Sequence, residues 1–246
     1  MSGHSKWHNI QARKSKIDAK RSKIFTKLIR EISVAAKIGG TRIEGNSRLR
    51  DAIDKAQQNN VPKDAIERAI KKGSGELMGR DYETLIYEGY GPFGVAVIVK
   101  TLTDNKNRTA GNLRYIFSKN SGNLGSNGCV MYMFKEIGEI VVDSSQNISV
   151  DEIIEKSFEL GADDFQFHES EGIYVIKSDL ACFRKIKQEL ESEDIDFLQA
   201  EIRFESDNYV NLESDEDIQK FEKFIDMLEE DDDVQEVYHN AEYDED

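Results

Sequence analysis

The sequence has few of the residues that mark secreted or membrane proteins. Among 246 residues only Cys129 and Cys182 are cysteines, and neither belongs to a Cys-x-x-Cys pair or to a Cys/His set with zinc-ligand spacing. We therefore expect neither a disulfide framework nor a structural zinc site. The scarcity of cysteine is typical of a protein that works in a reducing compartment. No apolar run approaches the roughly 18 residues of a membrane span, and the polar start lacks the apolar stretch of a signal peptide. We expect a cytoplasmic protein.

Patterns that mark metal sites and catalysis are also scarce. The glycine-rich stretch 121–128 lacks GxxxxGK[ST] and precedes a predicted strand, so it is not a phosphate-binding loop. His4 and His8 have the i,i+4 spacing of a helical metal pair, but no third ligand is near and ordinary polar contacts are the alternative. His168 and His239 form no legible catalytic constellation with the many carboxylates. These patterns predict neither a metal site nor an enzyme.

Charge is distributed unevenly along the chain, although the net charge of −15 conceals this. Residues 1–80 hold 19 basic and 8 acidic side chains, a net charge of +11, while residues 81–246 hold 14 basic and 40 acidic side chains, a net charge of −26. Such asymmetry between segments points to an anionic partner for the first part of the chain.

Residues 13–38 predict one helix with an apolar side and a cationic side. When the chain is wound as a helix at about 100° per residue, the cations lie in a stripe on a different side from the apolar residues. The predicted core-facing residues are Ile17, Ile24, Phe25, Leu28, Ile29, Ile32, Ala35 and Ala36.

The cationic stripe recurs every three or four residues over about 25 Å of helix and consists of Arg13, Lys16, Lys20, Lys23, Lys27 and Arg30. A charged helix face is usually only a solvated face, interspersed with acids at i,i+4. In residues 6–37, however, ten basic residues meet only two acidic ones. Neighbouring positive charges repel and weaken a helix, so the pattern favours a partner such as a phosphate backbone.

Two more helices are predicted before a linker at residues 74–80. Asn46 or Ser47 caps the first, which has an apolar face, and Pro62 begins the second, which Gly73 ends. The predicted buried residues of these two helices are Leu49, Ala52, Ile53, Ala56, Ala65, Ile66, Ala69 and Ile70.

From residue 81 the pattern mixes helices and strands. Two strands flank a turn at residues 89–94, a helix capped by Asp104 or Asn105 follows, and residues 129–134 are typical of a strand. Residues 136–206 have the β-α-β-β-α-β order of a ferredoxin-like fold. A helix over 215–229 and a strand over 234–238 cannot bury themselves alone, so we expect them to return to the first sheet.

The predicted fold class is therefore multi-domain α and α+β. A basic three-helix domain occupies residues 1–80, an α+β domain occupies 81–135 plus 207–246, and a ferredoxin-like domain is inserted over 136–206. The acidic run at residues 229–233 has two interpretations. Blocks of like charge usually remain in water; alternatively, the acidic parts repel nucleic acid where contact is unwanted, or shield the basic helix when no ligand is bound.

Four stretches carry a resemblance to a known family: GHSKWHNI, the pattern K-x-x-x-D-A-K-R-x-K-x-F-x-K-L-x-R-E-I, NNVPKDAIERAIKKG, and TDNKNRTAGNLRYIFSKNSGNLGSNGCVMYMF. Together they resemble the YebC/PmpR family, whose mitochondrial branch includes a translational activator of cytochrome oxidase subunit one. The resemblance runs essentially from end to end.

The resemblance implies a three-domain fold without enzyme activity or an obligatory cofactor. The family is commonly labelled as DNA-binding transcriptional regulators, and a competing description makes its members ribosome-associated translation factors that act at difficult sequences such as proline runs. Partners would be DNA, ribosomal RNA or the ribosome, and no membrane. No base-reading motif is present, so weak sequence specificity is expected.

Carried over position by position, the resemblance places a nucleic-acid-binding surface on basic residues of the amino-terminal part and a second contact on the central segment. The first set is Lys6, Arg13, Lys14, Lys16, Lys20, Arg21, Lys23, Lys27 and Arg30, and the second is Asn105, Asn107 and Arg108.

Overall fold

A computed structural model describes residues 23–75, 82–146, 149–169, 171–193 and 195–243. The described residues form two compact units. The larger unit contains those within 23–131 and 212–241, and the smaller unit contains those within 132–211 and 242–243. The multi-domain α+β fold class is confirmed. The predicted boundary at residue 80 lies outside the described residues, and the division into three domains stays a prediction.

Three helices form the first part of the larger unit: α1 over residues 23–39, α2 over Ser47–Gln58 and α3 over Lys63–Gly73. Asn46 is the cap of α2, because its Oδ1 accepts the backbone N–H of Leu49 at 3.0 Å. In the described residues the predicted apolar faces meet in one core, whose buried members are Leu28, Ile32, Ala35, Ala36, Leu49, Ala52, Ile53, Ala56, Ile66 and Ala69, joined by Val61 from the loop between α2 and α3. The other predicted residues Ile24, Phe25, Ile29, Ala65 and Ile70 are only partly buried against it, and Ile17 lies outside the described residues.

Gly73 ends α3, but packing rather than a left-handed turn requires glycine there. A Cβ at this position would lie 2.3 Å from the carbonyl oxygen of Ser33 and 2.6 Å from Cβ of Ala36, both in α1. The left-handed glycine is Gly75, with φ of 85°. The close approach of α3 to α1 therefore depends on the missing side chain of Gly73.

The rest of the larger unit is a four-stranded antiparallel sheet with two helices. Across this sheet the strands lie in the order Asn123–Leu124, Glu83–Tyr90, Ala96–Thr103 and Val234–His239, so the last strand returns to the first sheet as predicted. The rings of Phe117 and Phe224 pack edge to face at 5.0 Å between the two helices. The elements are β1 Glu83–Tyr90, β2 Ala96–Thr103, α4 Lys106–Lys119, β3 Asn123–Leu124, α7 Asp215–Glu229 and β9 Val234–His239.

The prediction of a strand over residues 129–134 is wrong. A short 3-10 helix covers Met131–Met133, and the strand begins only at Phe134. The cause is Glu88, whose buried carboxylate accepts the backbone N–H groups of Gly128, Val130 and Met131 at 2.6, 3.0 and 2.7 Å. These N–H groups are used by a side chain and cannot join a strand ladder.

The smaller unit has the predicted ferredoxin-like arrangement. Its antiparallel sheet has the strand order Ala162–His168, Ile173–Ser178, Phe134–Asp143 and Phe197–Ser206. The helices Val150–Glu159 and Leu180–Ser192 cover one face of this sheet. On the other face, Nη1 of Arg203 donates to both carboxylate oxygens of the buried Glu139, at 3.0 and 2.9 Å. The elements are β4 Phe134–Asp143, α5 Val150–Glu159, β5 Ala162–His168, β6 Ile173–Ser178, α6 Leu180–Ser192 and β7 Phe197–Ser206.

Several short elements complete the described chain. Two-residue strands lie where the chain passes between the units, and 3-10 turns occur beside α2 and between β1 and β2. None of the helices in the described ranges has the length and apolar character needed to span a membrane. These short elements are β8 Val210–Asn211, β10 Ala241–Glu242, and the 3-10 turns Ile43–Gly45 and Pro92–Gly94.

Glu236 on β9 ties the helical part of the larger unit to the sheet. Its carboxylate accepts from Nζ of Lys55 on α2 at 2.7 Å and from Nζ of Lys100 on β2 at 2.9 Å. Burial alone would raise the pKa of Glu236, but the two ammonium groups outweigh burial and hold the pKa well below the ordinary carboxyl value.

We expect Glu236→Gln to lower the free energy of unfolding by about 1–3 kcal/mol at pH 7, because two ammonium groups lose their counter-charge. A depressed carboxyl pKa stabilises the fold above the unfolded value of about 4.3, and this stabilisation is lost as the pH falls through the folded value. Urea unfolding at pH 7 and pH 3 should therefore show a smaller difference from wild type at pH 3. Exposed Glu213→Gln is the control, and equal stability of Glu236→Gln and wild type at pH 7 would contradict the account.

Candidate nucleic-acid interface

The described part of the cationic stripe meets the carboxyl end of α7. Nζ of Lys23 donates to the carbonyl oxygen of Glu230 at 3.0 Å, and Nζ of Lys27 donates to that of Glu229 at 2.7 Å. Carbonyls in the last turn of a helix have no partner within the helix and carry the negative end of its dipole. The two lysines therefore stabilise the end of α7.

Lys27 is partly dehydrated in this position. Burial lowers the pKa of Lys27, and the neighbouring carboxylates of Glu229 and Asp231 only partly restore it. An ammonium group that has given up water for a backbone carbonyl is less available to a phosphate than a solvated one.

Arg30 extends the same contact by one more turn of α1. Its Nη1 donates to the carbonyl oxygens of Asp232 and Leu102 at 2.8 and 3.2 Å, and to Oδ1 of Asp233 at 3.3 Å. The guanidinium carbon also lies 5.0 Å from the ring centroid of Tyr82, a cation–π contact. Arg30 thus bridges α1, the end of β2 and the loop that follows α7.

Asp233 is the centre of this cluster, with only 4% of its side chain exposed. Besides Arg30, its carboxylate accepts from Nη2 of Arg108 at 2.7 Å and from the hydroxyls of Thr103 and Thr109 at 3.2 and 2.8 Å. A buried carboxylate is stable only when it is paired and hydrogen-bonded, and here both conditions are met. One carboxylate therefore joins α1, β2 and α4 to the loop before β9.

The acidic run at residues 229–233 accordingly lies against the described part of the cationic stripe. Backbone carbonyls of the run accept from Lys23 and Lys27, and the carboxylate of Asp233 accepts from Arg30. The hypothesis that the run shields the basic helix when no ligand is bound stays a prediction. The interpretation of the run as a simply solvated block does not fit Asp233, which is buried. The remaining predicted cations lie outside the described residues: Lys6, Arg13, Lys14, Lys16, Lys20 and Arg21.

The three predicted residues of the central segment have different surroundings. Oδ1 of Asn105 accepts the N–H of Arg108 at 3.1 Å, so this side chain caps α4 as the sequence predicts. Asn107 is exposed on the first turn of α4. Arg108 pairs with Asp233 and, at 2.9 Å, with Asp104. Asn105 and Arg108 therefore both form contacts within the protein.

Sequence reasoning missed Tyr115 and Lys119 and assigned Arg114 only to the surface. All three are exposed on α4, and Nζ of Lys119 lies 5.5 Å from the ring centroid of Tyr115. A signal was present in the sequence, because residues 105–135 hold five basic side chains and no acidic one within the strongly acidic part of the chain.

The histidines considered for catalysis lie in different units. His239 packs edge to face on Phe221 at 4.9 Å, and its Nδ1 accepts the N–H of Ala241 at 3.3 Å. His168 is buried at the end of β5. In the part of the chain that the structure describes, no group of three or more His, Cys, Asp or Glu side chains is arranged to hold a metal ion.

We expect Asp233→Asn to lower the free energy of unfolding by about 1–3 kcal/mol, because the amide keeps the size of the side chain but removes the charge that pairs Arg30 and Arg108. Urea denaturation followed by circular dichroism at pH 7 measures the difference. Asp232→Asn, one residue earlier with an exposed side chain, should change stability by less than about 0.5 kcal/mol. Equal effects of the two substitutions would refute the role of Asp233.

Comparison with known proteins places both parts of the chain in one family. A family model described as the TACO1/YebC protein N-terminal domain matches residues 5–76, and one described as the TACO1/YebC second and third domain matches residues 82–241. The chain is 52% identical over 243 residues to a probable transcriptional regulatory protein of Hathewaya histolytica, covering 99% of this chain and 98% of that protein.

Two further comparisons also cover nearly the whole chain. A probable transcriptional regulatory protein of Clostridium acetobutylicum is 52% identical over 245 residues, covering 100% of this chain and 98% of that protein. The crystal structure of a conserved hypothetical protein from Aquifex aeolicus matches with a TM-score of 0.82 and 44% identity over 94% of each chain. The likeness therefore extends over the whole fold.

Proposed function

Because this chain belongs to the TACO1/YebC family, we propose that it is a nucleic-acid-binding regulator of gene expression that acts without an enzymatic step. Relatives about half identical to it carry the name probable transcriptional regulatory protein. The proposal gives this chain a contact with DNA or RNA through its amino-terminal cations, supplemented by the central segment.

The observation that supports this proposal best is the separation of charge. A net charge of +11 in residues 1–80 stands against −26 in residues 81–246. Nucleic acids bind largely through neutralisation of their phosphates by Lys and Arg, with release of counterions. A chain with this distribution approaches a polyanion with its first part, while its acidic part is repelled.

The contacts of α1 divide the predicted cations by role. Lys23, Lys27 and Arg30 hold the helix to the end of α7 and to Asp233, so we assign them a structural role. We therefore assign phosphate contact to the preceding cations. We assign that contact to Lys6, Arg13, Lys14, Lys16, Lys20 and Arg21.

Charge reversal tests this assignment. The triple variant Lys14→Glu, Lys16→Glu, Lys20→Glu should bind a 20-base-pair DNA duplex at least tenfold more weakly than wild type at low salt, because phosphate contacts are lost and replaced by repulsion. The slope of log K against log salt should flatten by about 0.9 for each contact removed. Fluorescence anisotropy between 50 and 200 mM salt measures both quantities.

The matched control carries the same charge change on α3, as Lys63→Glu, Lys71→Glu, Lys72→Glu, at three exposed positions. It should lose less affinity for DNA, because it changes the net charge of the protein without removing a proposed phosphate contact. If the two triple variants bind alike, the assignment to residues before Lys23 is wrong. If wild type binds neither duplex DNA nor structured RNA at low salt, the proposed function is wrong.

A second candidate is a ribosome-associated role in translation. The observation that favours it is Tyr115, which is 61% exposed on a cationic helix, because aromatic side chains of RNA-binding proteins stack on unpaired bases. Ribosomal RNA offers such bases in its loops, whereas a closed DNA duplex does not.

Sedimentation separates the two candidates. When a cell extract is centrifuged through a sucrose gradient, a translation factor of this kind should travel with the ribosomal fractions at low salt and leave them at high salt, since phosphate contacts are screened. Ribonuclease treatment should release it. A protein that stays at the top of the gradient at low salt would exclude the ribosomal role.

A further inference from the structure

The outward face of α4 has features that the fold itself does not require. The helix sequence KNRTAGNLRYIFSK contains four basic residues and no acidic one. It buries Thr109, Leu113, Ile116 and Phe117 against the sheet and α7, which leaves a polar, aromatic face toward solvent.

The cations of this face are available to a ligand. Among the described residues, neither Arg114 nor Lys119 forms an ion pair with a carboxylate. The acidic run reaches only the flank of the helix, where Asn112 donates to Asp231 at 2.9 Å and Arg108 binds Asp233. The outward face therefore keeps a positive potential within an acidic part of the chain.

Tyr115 places an aromatic ring between these cations. It is 61% exposed, and Lys119 lies over one side of the ring. A large exposed ring on a rigid helix, beside cations, is the arrangement that binds bases of single-stranded nucleic acid by stacking.

Gly111 lies in the middle of the same face, one turn before Tyr115. Apart from proline, glycine is the residue least favoured in a helix interior. A Cβ at Gly111 would meet nothing within 4 Å, and its φ is not left-handed, so neither packing within the protein nor backbone conformation calls for glycine. A glycine that the fold does not require is typical of a position where a ligand approaches the backbone closely.

The neighbours of Gly111 complete the face. On a helix, residues three and four apart are adjacent, so Asn107, Arg114 and Tyr115 surround Gly111, with Ser118 one turn farther along. Amide and hydroxyl side chains can both donate to and accept from a ribose 2′-hydroxyl, the group that distinguishes RNA from DNA.

From these observations we infer that the outward face of α4 binds single-stranded RNA. A base stacks on Tyr115, phosphates lie at Arg114 and Lys119, and the sugar-phosphate chain passes over Gly111 between Asn107 and Ser118. The inference rests on the proposed function, nucleic-acid binding, and names RNA as the ligand of a second contact. Apart from Tyr115 the face offers no large apolar side chain, so a protein partner is disfavoured.

The test uses the full chain and fluorescence anisotropy with three probes of one mixed sequence: a 12-nucleotide RNA, the same sequence as single-stranded DNA, and the DNA duplex. Tyr115→Ala should weaken RNA binding by roughly five- to a hundredfold, the loss of one stacked base. Tyr115→Phe keeps the ring and should retain wild-type affinity. The control is Phe158→Ala, which removes an aromatic ring that is 49% exposed on the acidic helix α5 and should leave affinity unchanged.

Gly111→Ala distinguishes ligand contact from a structural role, because thermal stability and RNA affinity should change in opposite directions. A better helix former should raise the Tm by about 2–4 °C, while the added methyl group obstructs the ligand and weakens RNA binding. Increased stability together with unchanged RNA affinity would refute the close approach at Gly111.

The outcomes separate this inference from the proposed function. If wild type binds the RNA and the amino-terminal charge reversals abolish binding while Tyr115→Ala does not weaken it, the α4 site is refuted and the proposed function stands. If Tyr115→Ala weakens single-stranded DNA binding as much as RNA binding, the assignment to RNA is refuted. If wild type binds none of the three probes, the proposed function and the inference fail together.

Discussion

The buried carboxylate of Asp233 is the interaction on which the larger unit depends. Two guanidinium groups and two threonine hydroxyls meet it, and they come from α1, α4 and β2. A cationic helix repels itself unless something neutralises it, and an acidic run repels itself equally. The cationic helix and the acidic run pack together at Asp233 and at the carboxyl end of α7, and this contact reduces the charge repulsion within each of them.

This arrangement separates structural from functional positive charge. Lys23, Lys27 and Arg30 form contacts within the fold, which is why we propose that they contribute little to ligand binding. Any ligand that engages them must displace the carbonyls of α7 as well as water. Cations before residue 23, together with Arg114 and Lys119 of α4, are the ones that nucleic acid meets in our account.

Sequence patterns predicted most of the fold because local signals and burial agree. The apolar faces of α1, α2 and α3, the Asn46 cap and the bounds of α6 and α7 follow from helical periodicity and capping. What could not be predicted depends on distant partners. The carboxylate of Glu88 binds backbone N–H groups about 40 residues later in the chain, which prevents the predicted strand from forming there. No local sequence feature distinguishes buried Asp233 from exposed Asp232.

Mapping contacts by ultraviolet crosslinking tests the central claim most directly. The full chain is bound to RNA, irradiated and digested, and the crosslinked peptides are identified by mass spectrometry. We expect crosslinks before residue 23 and on α4 around Tyr115, and none in the acidic smaller unit at residues 132–211. Crosslinks concentrated in that unit, or an absence of crosslinks from both basic segments, would contradict the account.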